Sequence, residues 1–217
     1  MRDPRRVTHV AALVGYGLGL LALYWGLRTE IPPSWTTPQG DLRWLGAPMA
    51  AFLLPTAVLV IDVLLRGLSR RPVDLHGAAS GLAAIDAIVA RVAVFVVGVH
   101  AAVLAGLLGW VPGGVWVVRV VPLMLGLTMV SVGNLLPRTR PNLALGIRTQ
   151  RTLSDRACWN RTHRGAGYVT VASGVVVALS ALAVPMPIGP RMIQLIGPIA
   201  LVGMWLLVRR QGRALHA

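Results

Sequence analysis

Between Asn134 and Arg164 the chain gathers seven arginines (Arg138, Arg140, Arg148, Arg151, Arg156, Arg161 and Arg164), together with Trp159, His163 and a single carboxylate, Asp155. Guanidinium forks match phosphate and carboxylate geometry, so the chemistry open to this set is anion binding. Three anions fit: lipid headgroups, at about 1 kcal/mol per arginine near a membrane surface, an acidic protein partner, or a phosphate ligand. Bond-making chemistry is poorly served. One carboxylate gives no acid–base pair, and neither an HExxH motif nor a Ser–His–Asp set appears. Cys158 is the only cysteine, which rules out an internal disulfide. No Cys, His and carboxylate cluster has metal-ligand spacing, so neither a metal nor a cofactor is expected.

The local pattern suggests how this segment is held. Pro137, Pro141 and Gly146 predict a turn-rich connector. Thr152-Leu153-Ser154-Asp155 has the form of a capping box with Asp in place of Glu, predicting a short helix from about 154 that runs on into the next apolar segment. On it Trp159 and His163, four residues apart, share a face, as do Arg156 and Asn160.

A second group of ionisable residues lies in or at the ends of apolar runs: Asp62, Asp86, Arg91, His100 and Arg119. Each is costly in hydrocarbon unless paired or hydrated. Asp62 and Arg66 are in the favourable order for an i,i+4 ion pair. Asp62 and Asp86 are the candidate partners of Arg91. Asp86 and Arg91 are five apart, about 140° round a helix, and do not face each other directly. Arg119, about 8 Å from the end of its run, is within reach of the interface by snorkelling. His100, near mid-span, either hydrogen-bonds a neighbouring helix or takes part in proton chemistry; with no mid-span carboxylate beside it, a pump is not expected.

The elements that position these residues are membrane spans. The sequence is 55% hydrophobic and 13% charged, against about 25% charged in a soluble domain, and its mean hydropathy is +0.69. Six apolar runs, near 8–27, 46–65, 85–109, 114–134, 165–184 and 191–208, approach the roughly 20 residues needed to cross about 30 Å of hydrocarbon. The fold class expected is all-α, a polytopic bundle of six transmembrane helices. Met1-Arg2-Asp3-Pro4-Arg5-Arg6 resembles a signal-peptide n-region, but the run after it is too long for an h-region and lacks a small-residue cleavage site, so an uncleaved anchor is expected.

The net charge of +14 raises the question of nucleic acid. The arginines stand at the ends of apolar runs, however, where topology places them, and no direct nucleic-acid contact is expected. With the N-terminus inside, the cytoplasmic side holds sixteen of the 21 arginines and the outer side three (Arg28, Arg43, Arg191), with Arg91 and Arg119 inside spans. The positive-inside rule then gives both termini and the segment 134–164 in the cytoplasm. Stripes of small residues (Ala11, Gly15 and Gly19; Gly98, Ala102 and Gly106; Ala166, Thr170, Gly174 and Ala178) suit close helix packing within the bundle, or between two copies.

The loop also carries a signature. Gly133-Asn134-x-x-Pro137, then Asn142-x-x-x-Gly146-Ile147-Arg148-Thr149, then Trp159-x-x-Thr162-His163-Arg164 resembles the SdpI family of bacterial membrane immunity proteins. The departure is at Gln150-Arg151, where the family usually has Pro-Trp. A weaker resemblance, to an I-P-x-H-W…G-x-x-D pattern found near the N-terminus of many such proteins, lies on Ile31, Pro32, Trp35, Gly40 and Asp41 of the external loop, with Ser34 in the place of His. It implies two segments: residues 1–75, a two-helix unit with the external Pro/Trp loop, and 76–217, a four-helix SdpI-like module.

The resemblance further implies a multi-pass protein of the bacterial cytoplasmic membrane, not an enzyme, that confers resistance to a secreted peptide toxin and holds a soluble repressor at its inner face. The residues expected to matter are Asn134, Pro137, Arg138, Arg140, Asn142, Gly146, Arg148, Thr149, Trp159, Thr162, His163 and Arg164. Arg138, Arg140, Arg148, Trp159, His163 and Arg164 are the expected reporting surface. Two other classes stay open: a membrane enzyme or lipid-binding protein using the Arg-rich loop, and an accessory subunit of a membrane complex or homo-oligomer.

Overall fold

A computed structural model describes residues 3–28, 43–69, 82–108, 110, 115–183, 202–203 and 206. The external loop with Ile31, Pro32, Trp35 and Asp41, and nearly all of the sixth apolar run, lie outside the described residues. Those described are all-helical, without strands: α1 (Pro4–Arg28), α2 (Arg43–Ser69), α3 (Leu82–Leu107), α4 (Val115–Gly133), a short α5 (Gln150–Ser154) and α6 (Arg156–Ala183). Five of these are long and apolar enough to span a membrane, and they match the first five apolar runs to within a few residues, apart from the start of the fifth. The chain is a multi-pass membrane protein.

The helix expected from about 154 is α6, which starts at Arg156 and runs unbroken into the fifth apolar run; the short α5 before it is an addition that the sequence pattern does not announce. Thr149, not Thr152, opens α5: its side chain accepts from the Thr152 amide, and the Thr152 hydroxyl accepts from the Thr149 amide. Asp155 ends α5 and starts α6, its carboxylate accepting from the amides of Ala157 (2.8 Å) and Cys158 (3.2 Å). A carboxylate at that position meets the orphan donors and the positive end of the helix dipole. At 28 residues, α6 is about 42 Å long, more than the roughly 30 Å of hydrocarbon. Its first nine residues carry the exposed Arg156, Arg161 and Arg164 and project beyond the apolar stretch, which begins at Gly165.

The bundle is a chain of neighbours. α1 packs on α2 and α3, α3 on α4, and α4 most extensively on α6. The α4–α6 contact is antiparallel and glycine-lined. A β-carbon on Gly126 would lie 2.5 Å from the Gly174 carbonyl oxygen, and one on Gly167 would lie 2.7 Å from the Gly133 carbonyl oxygen. The pairs are seven residues apart on both helices, so they stack on one seam two turns apart. In lipid no hydrophobic drive brings helices together, and backbone proximity supplies the packing. Of the small-residue stripes, Gly15 meets Pro55, Gly19 meets Ala51, Gly98 meets Met124 and Gly174 meets Gly126. These positions pack within one chain.

The same register explains Arg119. Its Nη1 reaches the end of α6 and donates to the carbonyls of Ala181 (3.3 Å) and Leu182 (3.1 Å), where unpaired carbonyls concentrate.

Gly174→Leu should lower the thermal unfolding midpoint of the detergent-solubilised protein, by an overpacking cost of about 1–3 kcal/mol. Gly17→Ala, on a glycine with nothing within 4 Å of a β-carbon, should leave it unchanged or raised. Equal midpoints for wild type and Gly174→Leu would refute the close α4–α6 seam.

Candidate functional site: a bonded loop on the end of α6

The segment between α4 and α6 is ordered from within. After a 3-10 turn at Leu136–Arg138, the Thr139 hydroxyl donates to the Leu136 carbonyl (2.7 Å). Asn142 then closes the next turn. Its Oδ1 accepts from the amides of Ala144 (2.9 Å) and Leu145 (2.7 Å), and its Nδ2 donates to the Arg140 carbonyl (2.7 Å). An Asn in this role substitutes for a backbone turn. Leu145 and Ile147 tuck against a cluster formed by Ile88 of α3, Leu135, Leu136 and Ala166 of α6. The loop is thereby fastened to the bundle by apolar contact as well as by hydrogen bonds.

Trp159 and His163 are the posts of this structure. Their rings stack at 3.8 Å and 16°, and both are buried, at 0% and 1% exposure. Trp159 Nε1 donates to the Thr139 carbonyl (3.0 Å). His163 Nε2 accepts from the Ile147 amide (3.1 Å), which assigns the ring proton to Nδ1, 3.0 Å from the Trp159 carbonyl. Both ring nitrogens are used, and only the neutral imidazole satisfies both. Gly146 makes this possible. It sits at φ +114°, a region that favours glycine, and a β-carbon there would collide with His163 Nε2.

The shared face foreseen for Trp159 and His163 is present, but it faces the loop and not the solvent. The two residues hold the surface and do not form it. Thr162 is buried beside them. Arg138, Arg148 and Arg164 are exposed, Arg140 partly so, and Arg156 and Asn160 both point outward. Arg148 also folds back to donate to the Leu143 carbonyl. Asn134 is exposed, Pro137 contacts Gly167, and Thr149 caps α5. Gln150 stands at the first position of α5, a place that proline also suits. The departure from the family's Pro-Trp leaves that helix start intact.

Two of the ionisable residues of the apolar runs, Asp62 and Asp86, form a second site at the same end of the bundle. Asp62 takes a bidentate grip from Arg66, at 2.6 and 2.8 Å. Asp86 accepts from Arg5 Nε at 2.9 Å and faces Arg66 Nη1 at 3.4 Å. His9 lies 3.7 Å from Asp62. This knot ties α1, α2 and α3 together. Neither carboxylate is the partner of Arg91, contrary to expectation. Arg91 Nε donates to the Ser131 hydroxyl (2.5 Å), and its Nη1 to the Ala87 carbonyl (2.7 Å). Arg5 and Arg66 satisfy the carboxylates first, and Arg91 bridges to α4. The pairing of Arg5 with Asp86 is not legible in the sequence, because residues 81 apart in the chain have no shared periodicity. His100 is fully buried near the Gly15 and Ala51 carbonyls, yet neither ring nitrogen reaches a hydrogen-bond partner among the described residues. Among the described residues no three His, Cys, Asp or Glu side chains gather as a metal would need.

Burial holds the His163 imidazole below its ordinary pKa, against a smaller opposing effect of the Trp159 carbonyl. Above the ordinary value of about 6.5 both folded and unfolded loops are neutral, and pH has no leverage. Below it the unfolded loop takes up the proton first, so the loop loses stability as pH falls until the folded value is also passed. Trypsin should therefore cut after Arg148 and Arg151 faster at pH 5.5 than at pH 7.5, once corrected for the enzyme's own pH profile. Gly146→Ala should make those bonds labile at both pH values. Cleavage that is slow at both, in wild type and variant alike, would contradict the arrangement.

No curated protein and no solved structure matches the chain. The resemblance read from the loop is shown over α5, α6 and the residues around them: positions 138–209 match the model of the SdpI/YfhL protein family.

Proposed function

We propose that this chain is a receptor-like immunity protein of the bacterial cytoplasmic membrane. It protects its cell from a secreted peptide toxin and reports the encounter through the Arg-rich loop, which with both termini faces the cytoplasm. The observation that supports this most directly is how the loop's polar groups are used. The side chains of Asn142, Thr149, Thr152, Asp155, Trp159 and His163 are all engaged in holding the loop in shape. Groups committed in this way are poorly placed to be acids, bases or nucleophiles, which favours a non-enzymatic role. The outward arginines sit on a fixed frame, as a docking surface for an acidic soluble partner such as a repressor requires.

The inside placement of this face rests on the arginine distribution and the positive-inside rule. The match of 138–209 to the SdpI/YfhL family model supports this reading. For a protein partner on the inner face, complementary charge would govern how fast it is captured.

Deleting the gene in a strain that secretes its own killing peptide should raise sensitivity to that peptide, and unchanged sensitivity would count against the immunity role. Arg148→Glu with Arg164→Glu should abolish recruitment of the soluble partner to the membrane while the protein remains folded and inserted. Recruitment at the wild-type level would rule out this face as the docking surface.

A further inference from the structure

A groove of about 780 Å³ runs down the outside of α3, walled by Pro4 and Val7 of α1 and by Leu127, Thr128 and Ser131 of α4. Its floor is small-residue helix: Ala83, Ala84, Ala87 and Ala90, ending at Val94. Eleven residues of α3 separate Ala83 from Val94, which is about 16 Å of helix. That is about half of the roughly 30 Å hydrocarbon, the depth of one leaflet. The deep end is open to the bilayer, since Val94 and Leu127 are 50% and 58% exposed.

The shallow end is cationic. Arg138 stands at the mouth, exposed, and its guanidinium holds no bond to a described residue. Arg91 enters from the floor and folds back one turn to reach the Ala87 carbonyl. Nε and Nη1 are engaged, and Nη2 has no partner among the described residues. No carboxylate lines the groove. The nearest on α3, Asp86, is taken by Arg5 and Arg66.

An apolar channel one leaflet deep, open sideways to lipid, with Arg138 at its mouth and Arg91 reaching back from the floor toward it, has the complement of one molecular class. We propose that the groove binds an anionic phospholipid from the leaflet on the loop side. One acyl chain lies along Ala83–Val94, and Arg138 and Arg91 Nη2 bind its phosphate. The volume falls in the range of about 300–1,000 Å³ typical of ligand sites and takes part of the lipid, one chain and the phosphate. Thr128 and Ser131 add hydroxyls to the wall. This site shares Arg138 with the expected reporting surface but uses neither Arg148 nor Arg164, so the two readings are tested by different variants.

The test is native mass spectrometry of the full chain in detergent, with added phosphatidylglycerol or phosphatidylcholine of identical chains. Wild type should keep one phosphatidylglycerol per chain and keep phosphatidylcholine about tenfold less well. Arg138→Gln and Arg91→Gln should each weaken phosphatidylglycerol retention by about tenfold, whereas Arg161→Gln, an exposed residue away from the groove, should not. Arg91→Gln also loses the link to Ser131, so the exposed Arg138→Gln is the decisive variant. Equal retention of both lipids, or wild-type retention by Arg138→Gln, would overturn the proposal. Displacement of the lipid by millimolar inorganic phosphate would overturn it too, by showing a site for the free anion. Failure of any arm leaves the Arg148/Arg164 experiment unaffected.

Discussion

His163 Nε2 occupies the space that a β-carbon on residue 146 would need, and it accepts the amide hydrogen of the next residue, Ile147. From that contact the rest of the loop can be followed outward. Gly146 reverses the chain at a positive φ, which brings Ile147 and Leu145 back against α3 and α6. The imidazole stacks on Trp159, whose Nε1 fixes the Thr139 carbonyl at the other side of the loop. Where an irregular segment packs against the bundle away from water, its buried backbone groups need internal partners. Here two side chains of one helix, a turn apart, supply them at both ends of the segment.

The glycine seam supplies the platform. Gly126 against Gly174 and Gly133 against Gly167 set α4 and α6 at backbone contact. That closeness fixes where the loop leaves one helix and enters the other. Arg119 closes the far end of the same seam on the α6 carbonyls, and the ion-pair knot of Asp62, Asp86, Arg5 and Arg66 fastens α1–α3 at the loop end. The outward arginines therefore stand on a frame held at two levels, one apolar and one ionic.

Much of this was legible in the sequence, for identifiable reasons. Spans are long-window properties of composition, so the five span-length helices fall where hydropathy puts them, apart from the polar first turns of α6. The Asp62–Arg66 pair and the Trp159–His163 face follow from helical spacing alone. The partners of Arg5, Arg91 and Arg119 did not, because each lies on a different helix and depends on crossing geometry. The short helix α5 is not legible, for a local reason. Thr149 and Thr152 form a reciprocal cap from two threonines, which leaves Asp155 to start a separate helix. The burial of Trp159 and His163 was likewise invisible, since a shared face does not say what covers it.

The loop is a folded platform and not a solvated tether of arginines. Amide hydrogen exchange on the intact protein in lipid nanodiscs, resolved across residues 139–152, tests that directly. Slow exchange at Ala144, Leu145, Ile147 and Thr152, the donors held by Asn142, His163 and Thr149, is the predicted result. Exchange at these amides as fast as in an unstructured peptide would contradict it.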